Sequence, residues 1–69
     1  MQDIKDCKGR LTCKADAATG TVEHAYKGCK TTSRLAIGGS VSIERDAVVT
    51  IVTRISATAF QVDSYTLAA

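Results

Sequence analysis

The chain has 69 residues, nine of them Lys or Arg and seven Asp or Glu, which gives a formal net charge of +2. That length excludes more than one domain, since independent domains begin at about 50 residues, and a core of this size rarely supplies more than about 3–5 kcal/mol. An apolar fraction of 45% with both charge signs interspersed excludes a disordered chain, and no apolar run approaches the roughly 18 residues of a membrane-spanning helix.

In chain order, "MQDIKDCKGR" is charged and has no apolar h-region, so no secretory leader is expected. Residues 9–27 read as a basic hairpin. Leu11, Cys13 and Ala15 alternate with Arg10, Thr12 and Lys14, and "DAATG" supplies a turn with a glycine suited to positive φ. Val22 and His24 then alternate with Thr21, Glu23 and Ala25. "GCKTTS" breaks the pattern and reads as a loop. Residues 34–67 read as a meander: a short strand "RLAI", a "GGS" bend, the strand "SVSIE", a tight turn "RD", the long strand "AVVTIVTRI", a turn "SAT" and the closing strand "AFQVDSYTL". In that last segment the apolar phase changes near Asp63–Ser64, as at a bulge. A helix over 46–60 fits the spacing of Ala47, Val48, Ile51, Val52 and Ile55. The β-branched composition of that segment favours a pleated sheet instead.

The fold expected is mainly β: one domain over 1–69, a small antiparallel meander of five or six strands. It would form a curled sheet or an SH3-like, partly open barrel. Leu11, Val22, Ile37, Val41, Ile43, Val49, Ile51, Ile55, Phe60 and Val62 are the expected core. From Gly38 to Leu67 the rhythm of bend, "SVSIE", turn, "VVTIVTRI", turn and "FQVDSY" resembles an SH3-like barrel. It is also loosely similar to the strands of the carbon storage regulator family, whose members are small intertwined dimers that bind RNA. Neither resemblance covers the N-terminal hairpin.

Groups that carry chemistry are few. Cys7, Cys13, His24 and Cys29 are the right types for zinc, but no C-x2-C knuckle is present, so three reduced thiols and no metal are expected. An odd number of cysteines without a leader points to the cytoplasm. Cys13 and His24 share a face of the hairpin and could be cross-strand neighbours, yet nothing in a strand activates a thiol. The "IGGS" glycines precede a strand rather than a helix and do not make a phosphate loop. The chain reads as neither an enzyme nor a cofactor carrier.

Charge is the asymmetry that remains. Seven basic residues against four acidic ones fall in residues 1–34, while the rest of the chain is slightly acidic. Arg10, Lys14, Lys27, Lys30 and Arg34 form a candidate basic strip that could track phosphates. The long strand carries apolar side chains on both faces, so one face is expected to be covered by a partner. Val48, Val52, Arg54 and Tyr65 are the candidate interface, with Arg54 at its polar rim and a homodimer as the simplest assembly. Two functions follow. The first is a small protein-binding module that inhibits or regulates a larger complex, of the sort common in phages and mobile elements. The alternative is a nucleic-acid-binding regulator that uses the hairpin. The two separate on whether Glu23 and Asp16 neutralise the strip.

Overall fold

The computed structural model describes residues 1–26 and 28–67. Seven strands occur there: β1 (Gln2–Lys5), β2 (Leu11–Asp16), β3 (Thr21–Tyr26), β4 (Cys29–Arg34), β5 (Ser40–Arg45), β6 (Val48–Arg54) and β7 (Phe60–Thr66). All neighbours are antiparallel. They form a four-stranded sheet, β1-β2-β3-β4, and a three-stranded sheet, β5-β6-β7. The structure is thus mainly β, with seven strands where five or six were expected, arranged as two open sheets.

The turns follow from local chemistry. Between β1 and β2 the Asp6 carboxylate accepts from the Lys8 and Arg10 amides, and Gly9 takes φ +77°. Asp at the first position and Gly at the fourth are what this turn favours. Between β5 and β6 the turn is Asp46–Ala47, one residue later than the "RD" reading. Both residues have positive φ, at 52° and 63°, as a two-residue hairpin of primed type requires. "CKTTSR" is the strand β4 rather than a loop, and "RLAI" is not a strand beyond Arg34. β4 is polar because it lies at a sheet edge with its side chains largely in water, so its pairing rests on the main chain and its β-branched threonines.

The two sheets pack face to face in a particle of 36 × 25 × 17 Å. Ile4, Cys13, Ala15 and Val22 of the first sheet meet Ile43 and Val52 of the second, with Leu35, Val41 and Phe60 around them. This arrangement answers what lies over both faces of the long strand. The register pairs Val41 with Val52, Ile43 with Thr50 and Arg45 with Val48. Val48, Thr50 and Val52 therefore share the inner face and are buried, with Val52 in the cluster shared with the first sheet.

Several expected core positions are corrected. Ile51 lies on the outer face and is half-buried, and Leu11, Ile37, Ile55 and Val62 are exposed. Val49 is buried even on the outer face, flanked across the strands by Glu44 and Tyr65. Val22, Ile43, Val41 and Phe60 are in or against the core as expected. Among the described residues, no helix is long and apolar enough to cross a membrane.

Candidate functional site

Two arginines clasp the ends of the sandwich. At one end Arg54 turns inward from β6, and its guanidinium donates to the carbonyls of Leu35 (2.9 Å), Ala17 (3.0 Å) and Ala18 (3.3 Å). Those carbonyls belong to the β2–β3 turn and to the crossover between the sheets. Gly20 completes this contact. Its φ is +75°, its carbonyl accepts from the Leu35 amide, and any Cβ there would strike the Leu35 carbonyl and the Arg54 guanidinium. At the other end Arg10 binds the buried Asp6 at 3.0 Å and Asp46 of the β5–β6 turn at 3.1 Å. Hydrogen bonding, chiefly from the Arg10 amide and against the opposing pull of burial, holds the Asp6 carboxyl below its ordinary value.

These placements correct the expected interface. Val48 and Val52 are not free for a partner, because both are buried, Val52 against the first sheet. Arg54 is not a rim charge but a clamp on carbonyls. Tyr65 is exposed on the outer face beside Val49. The basic strip does not assemble as a continuous cationic surface. Arg10 is held between two aspartates. Lys14 lies across from Asp3 on one side and Glu23 on the other. Lys30 binds Glu23 at 3.0 Å. Arg34 is exposed at the end of β4, across from Thr21, and Lys27 lies outside the described residues.

The thiols are separate in kind. Cys7 is exposed in the β1–β2 turn, where its amide donates to Ser64 Oγ, and Cys29 is exposed at the start of β4. Cys13 is buried in the core, and that burial pushes its thiol up to about 11. Among the described residues no three of His, Cys, Asp and Glu come together as a metal site would need.

Two features were not anticipated from the sequence, and both concern unpaired main chain. The first is β7. The Leu67 amide donates to Ala47 and the Ile55 amide to Ala59, so in this ladder the odd-numbered residues of β7 turn their main-chain groups toward β6. The amides and carbonyls of Phe60, Val62, Ser64 and Thr66 then point outward along a seven-residue edge. The other edges carry charged or polar guards: Asp3 and Lys5 on β1, Lys30 and Arg34 on β4, Glu44 on β5. β7 carries one charged residue, the exposed Asp63 at its centre, and no Lys, Arg or Pro, and it exposes Val62 and Tyr65, with Leu67 just beyond.

The second is a gap inside the first sheet. β2 and β3 pair only at Asp16↔Thr21, Ala15↔Val22 and Lys14↔Glu23. Beyond that point the strands part, and a cavity of about 330 Å³ opens between Leu11, Thr12, Cys13 and Lys14 on one side and Glu23, His24 and Ala25 on the other, with Lys30 at its rim. Alternation alone would put Cys13 opposite His24. Both line this cavity, but they are not a ladder pair. No protein-family model, curated protein or solved structure matches the chain.

Proposed function

We propose that this chain is a small, non-enzymatic protein-binding module that inhibits or regulates a larger protein by offering β7 as an edge for strand addition. The observation that carries the reading is the open β7 edge: outward main-chain groups along a seven-residue strand, a single charged side chain, Asp63, with no Lys or Arg, and Val62, Tyr65 and Leu67 exposed beside it. Main-chain hydrogen bonds would supply affinity, and the alternate side chains specificity. A second copy suits the same edge, because antiparallel pairing about a two-fold axis at Val62 or Ser64 keeps the two Asp63 carboxylates from facing each other.

A catalytic reading has less support. Cys13 lines one cavity with His24, but a thiol held near 11 is uncharged at neutral pH. The nucleic-acid reading is weakened by the acids set among its cations: Asp3, Asp6, Glu23 and Asp46 each face a residue of the strip. Three free thiols favour the cytoplasm.

Val62→Pro tests the proposal. Its amide faces away from β6, so proline removes an outward donor without breaking the ladder. Tagged wild type and Val62→Pro would be used as baits in nuclease-treated lysate of the source cell. The reading expects one protein retained by wild type and lost with the variant. Retention of the same protein by both baits rejects β7, and retention that requires nucleic acid favours the alternative.

A further inference from the structure

The outward main-chain groups of Val62, Ser64 and Thr66 decide what can lie against β7. In an antiparallel ladder, residues that exchange main-chain hydrogen bonds alternate with residues that do not. Near the middle of the strand, a second β7 related by a two-fold axis can be centred on Val62, Asp63 or Ser64. An axis at Asp63 sets one carboxylate directly against the other, which is destabilising. An axis at Val62 runs the ladder into the β6–β7 turn, where the Ile55 and Ser56 amides both donate to Ala59. That ladder would stop near Phe60 and leave Leu67 without a partner. An axis at Ser64 has no such limit. It spans 61–67 in both copies, and the bond from the Leu67 amide to Ala47 keeps the chain extended to that point.

The side chains agree with the Ser64 register. On the outer face Asp63 meets Tyr65 of the second copy, and Gln61 meets Leu67, each twice by symmetry. No like charges are opposed, and the exposed Tyr65 and Leu67 gain cover. On the inner face Val62 meets Thr66, and Ser64 meets Ser64 at the axis. The Ser64 Oγ is already held within its own chain, by the Cys7 amide at 2.9 Å and the Thr50 hydroxyl at 3.1 Å, so pairing strands no hydroxyl there.

We propose that the β7 edge is closed by the β7 edge of a second copy, antiparallel about a two-fold axis at Ser64, and that this dimer must part before another protein can take the edge. This rests on the reading of β7 as an open edge and names its first occupant. The result is one six-stranded sheet, β5-β6-β7 of one copy continued by β7-β6-β5 of the other. Such pairing uses the same edge twice and closes, whereas β7 set against a different edge of a copy would leave another β7 free and go on growing. The contact over 61–67 is far shorter than the roughly 20–30 residues a side of a stable interface, so the dimer forms reversibly and at high concentration. That weakness lets a partner displace it.

Light scattering of the wild-type chain from low micromolar to millimolar concentration measures the association. An isotope-filtered NOE experiment on an equal mixture of 13C-labelled and unlabelled chain reads the register. Asp63 and Tyr65 of different copies form a non-hydrogen-bonded pair with Cα atoms about 4.5 Å apart, which brings their α-protons together. Within one chain the two lie roughly 6.8 Å apart along the strand and give no such signal. Self-pairing at Ser64 predicts a concentration-dependent dimer with an Asp63–Tyr65 α-proton contact between copies. Tyr65→Asp sets carboxylates opposite each other at two symmetric places and should weaken the dimer roughly tenfold. Combining it with Asp63→Lys makes both pairs opposite in charge and should restore the dimer. A chain that stays monomeric at millimolar concentration overturns the inference. So does a dimer whose contacts between copies are Gln61–Asp63 or lie outside β7. The strand-addition reading fails separately. A monomeric wild type whose lysate partner is still lost with Val62→Pro supports that reading and refutes self-pairing. A dimer of this register, with the same lysate protein retained by both baits, does the reverse.

Discussion

Val52→Ala set against Ile51→Ala decides which face of β6 is the core. Val52 is fully buried between the sheets, in contact range of a cluster that includes Cys13, Ala15, Val22 and Ile43. The substitution removes two methyl groups, worth about 1.6 kcal/mol in transfer, and the cavity left in a two-sheet core raises the loss to about 2–3 kcal/mol. Ile51 loses three carbons but is half-exposed on the outer face, and solvent fills the space, so its truncation should cost about 1 kcal/mol. For a domain with roughly 3–5 kcal/mol in hand, the first change removes most of the stability. It should lower the melting temperature by roughly 10–20 °C. Urea unfolding of the two variants, followed by far-UV circular dichroism with a common m-value, gives both losses on one scale. If Ile51→Ala costs more than Val52→Ala, the face assignment is wrong, and the first sheet does not lie over Val52.

Ala47 occupies the left-handed region at φ 63°, where L-residues other than Gly, Asn and Asp are strained by about 1–2 kcal/mol; after the unfolded-state entropy of glycine is subtracted, Ala47→Gly should stabilise by about 0.5–1 kcal/mol, seen as a raised urea midpoint. Asp6 has a carboxyl depressed below its ordinary 3.8, so the unfolded chain binds the proton more readily than the folded one. Its contribution is complete above the unfolded value and is lost as pH falls through the lower folded one. Urea midpoints should therefore decline below about pH 4, and Asp6→Asn should flatten that decline. At pH 8, Cys7 and Cys29 should react with a chromogenic disulfide at the rate of free thiols, while Cys13, held near 11 and buried, should react only as the chain unfolds. Rapid labelling of all three thiols in the native state would contradict its placement.

Much of the β order could be read from alternation and turn residues. The N-terminal hairpin, β5, β6 and β7 all lie where the sequence puts strands, with Gly20 and Gly38 at positive φ in their bends. β4 escaped notice because "CKTTSR" has no apolar alternation. An edge strand with both faces largely wet has no hydrophobic period to show. The face of β6 was misread although the information was present. Any two-residue turn between β5 and β6 pairs residues of opposite parity, so placing Val41 and Ile43 inward requires Val48, Thr50 and Val52 inward as well. Reading β6 from its own side chains gave Val49 and Ile51, because both faces of that strand are apolar. Arg54 looked like a surface charge because sequence does not show that three turn and crossover carbonyls converge on it. The β2–β3 gap had no sequence signal. Alternation through Cys13 and His24 implies a closed ladder, and only the register shows that it stops at Lys14↔Glu23.

Amide hydrogen exchange along β7 in the free protein at low concentration tests the central claim, an open edge, most directly. The account expects Asp63 and Tyr65, whose amides face β6, to exchange slowly, and Val62 and Thr66, whose amides face outward, to exchange near the rate of an unstructured chain. Raising the protein concentration or adding the partner that wild type retains and Val62→Pro loses should slow Val62 and Thr66 selectively. Protection of Val62 and Thr66 equal to that of Asp63 and Tyr65 in the dilute, isolated monomer would show that the chain covers this edge itself, and would contradict the proposed function.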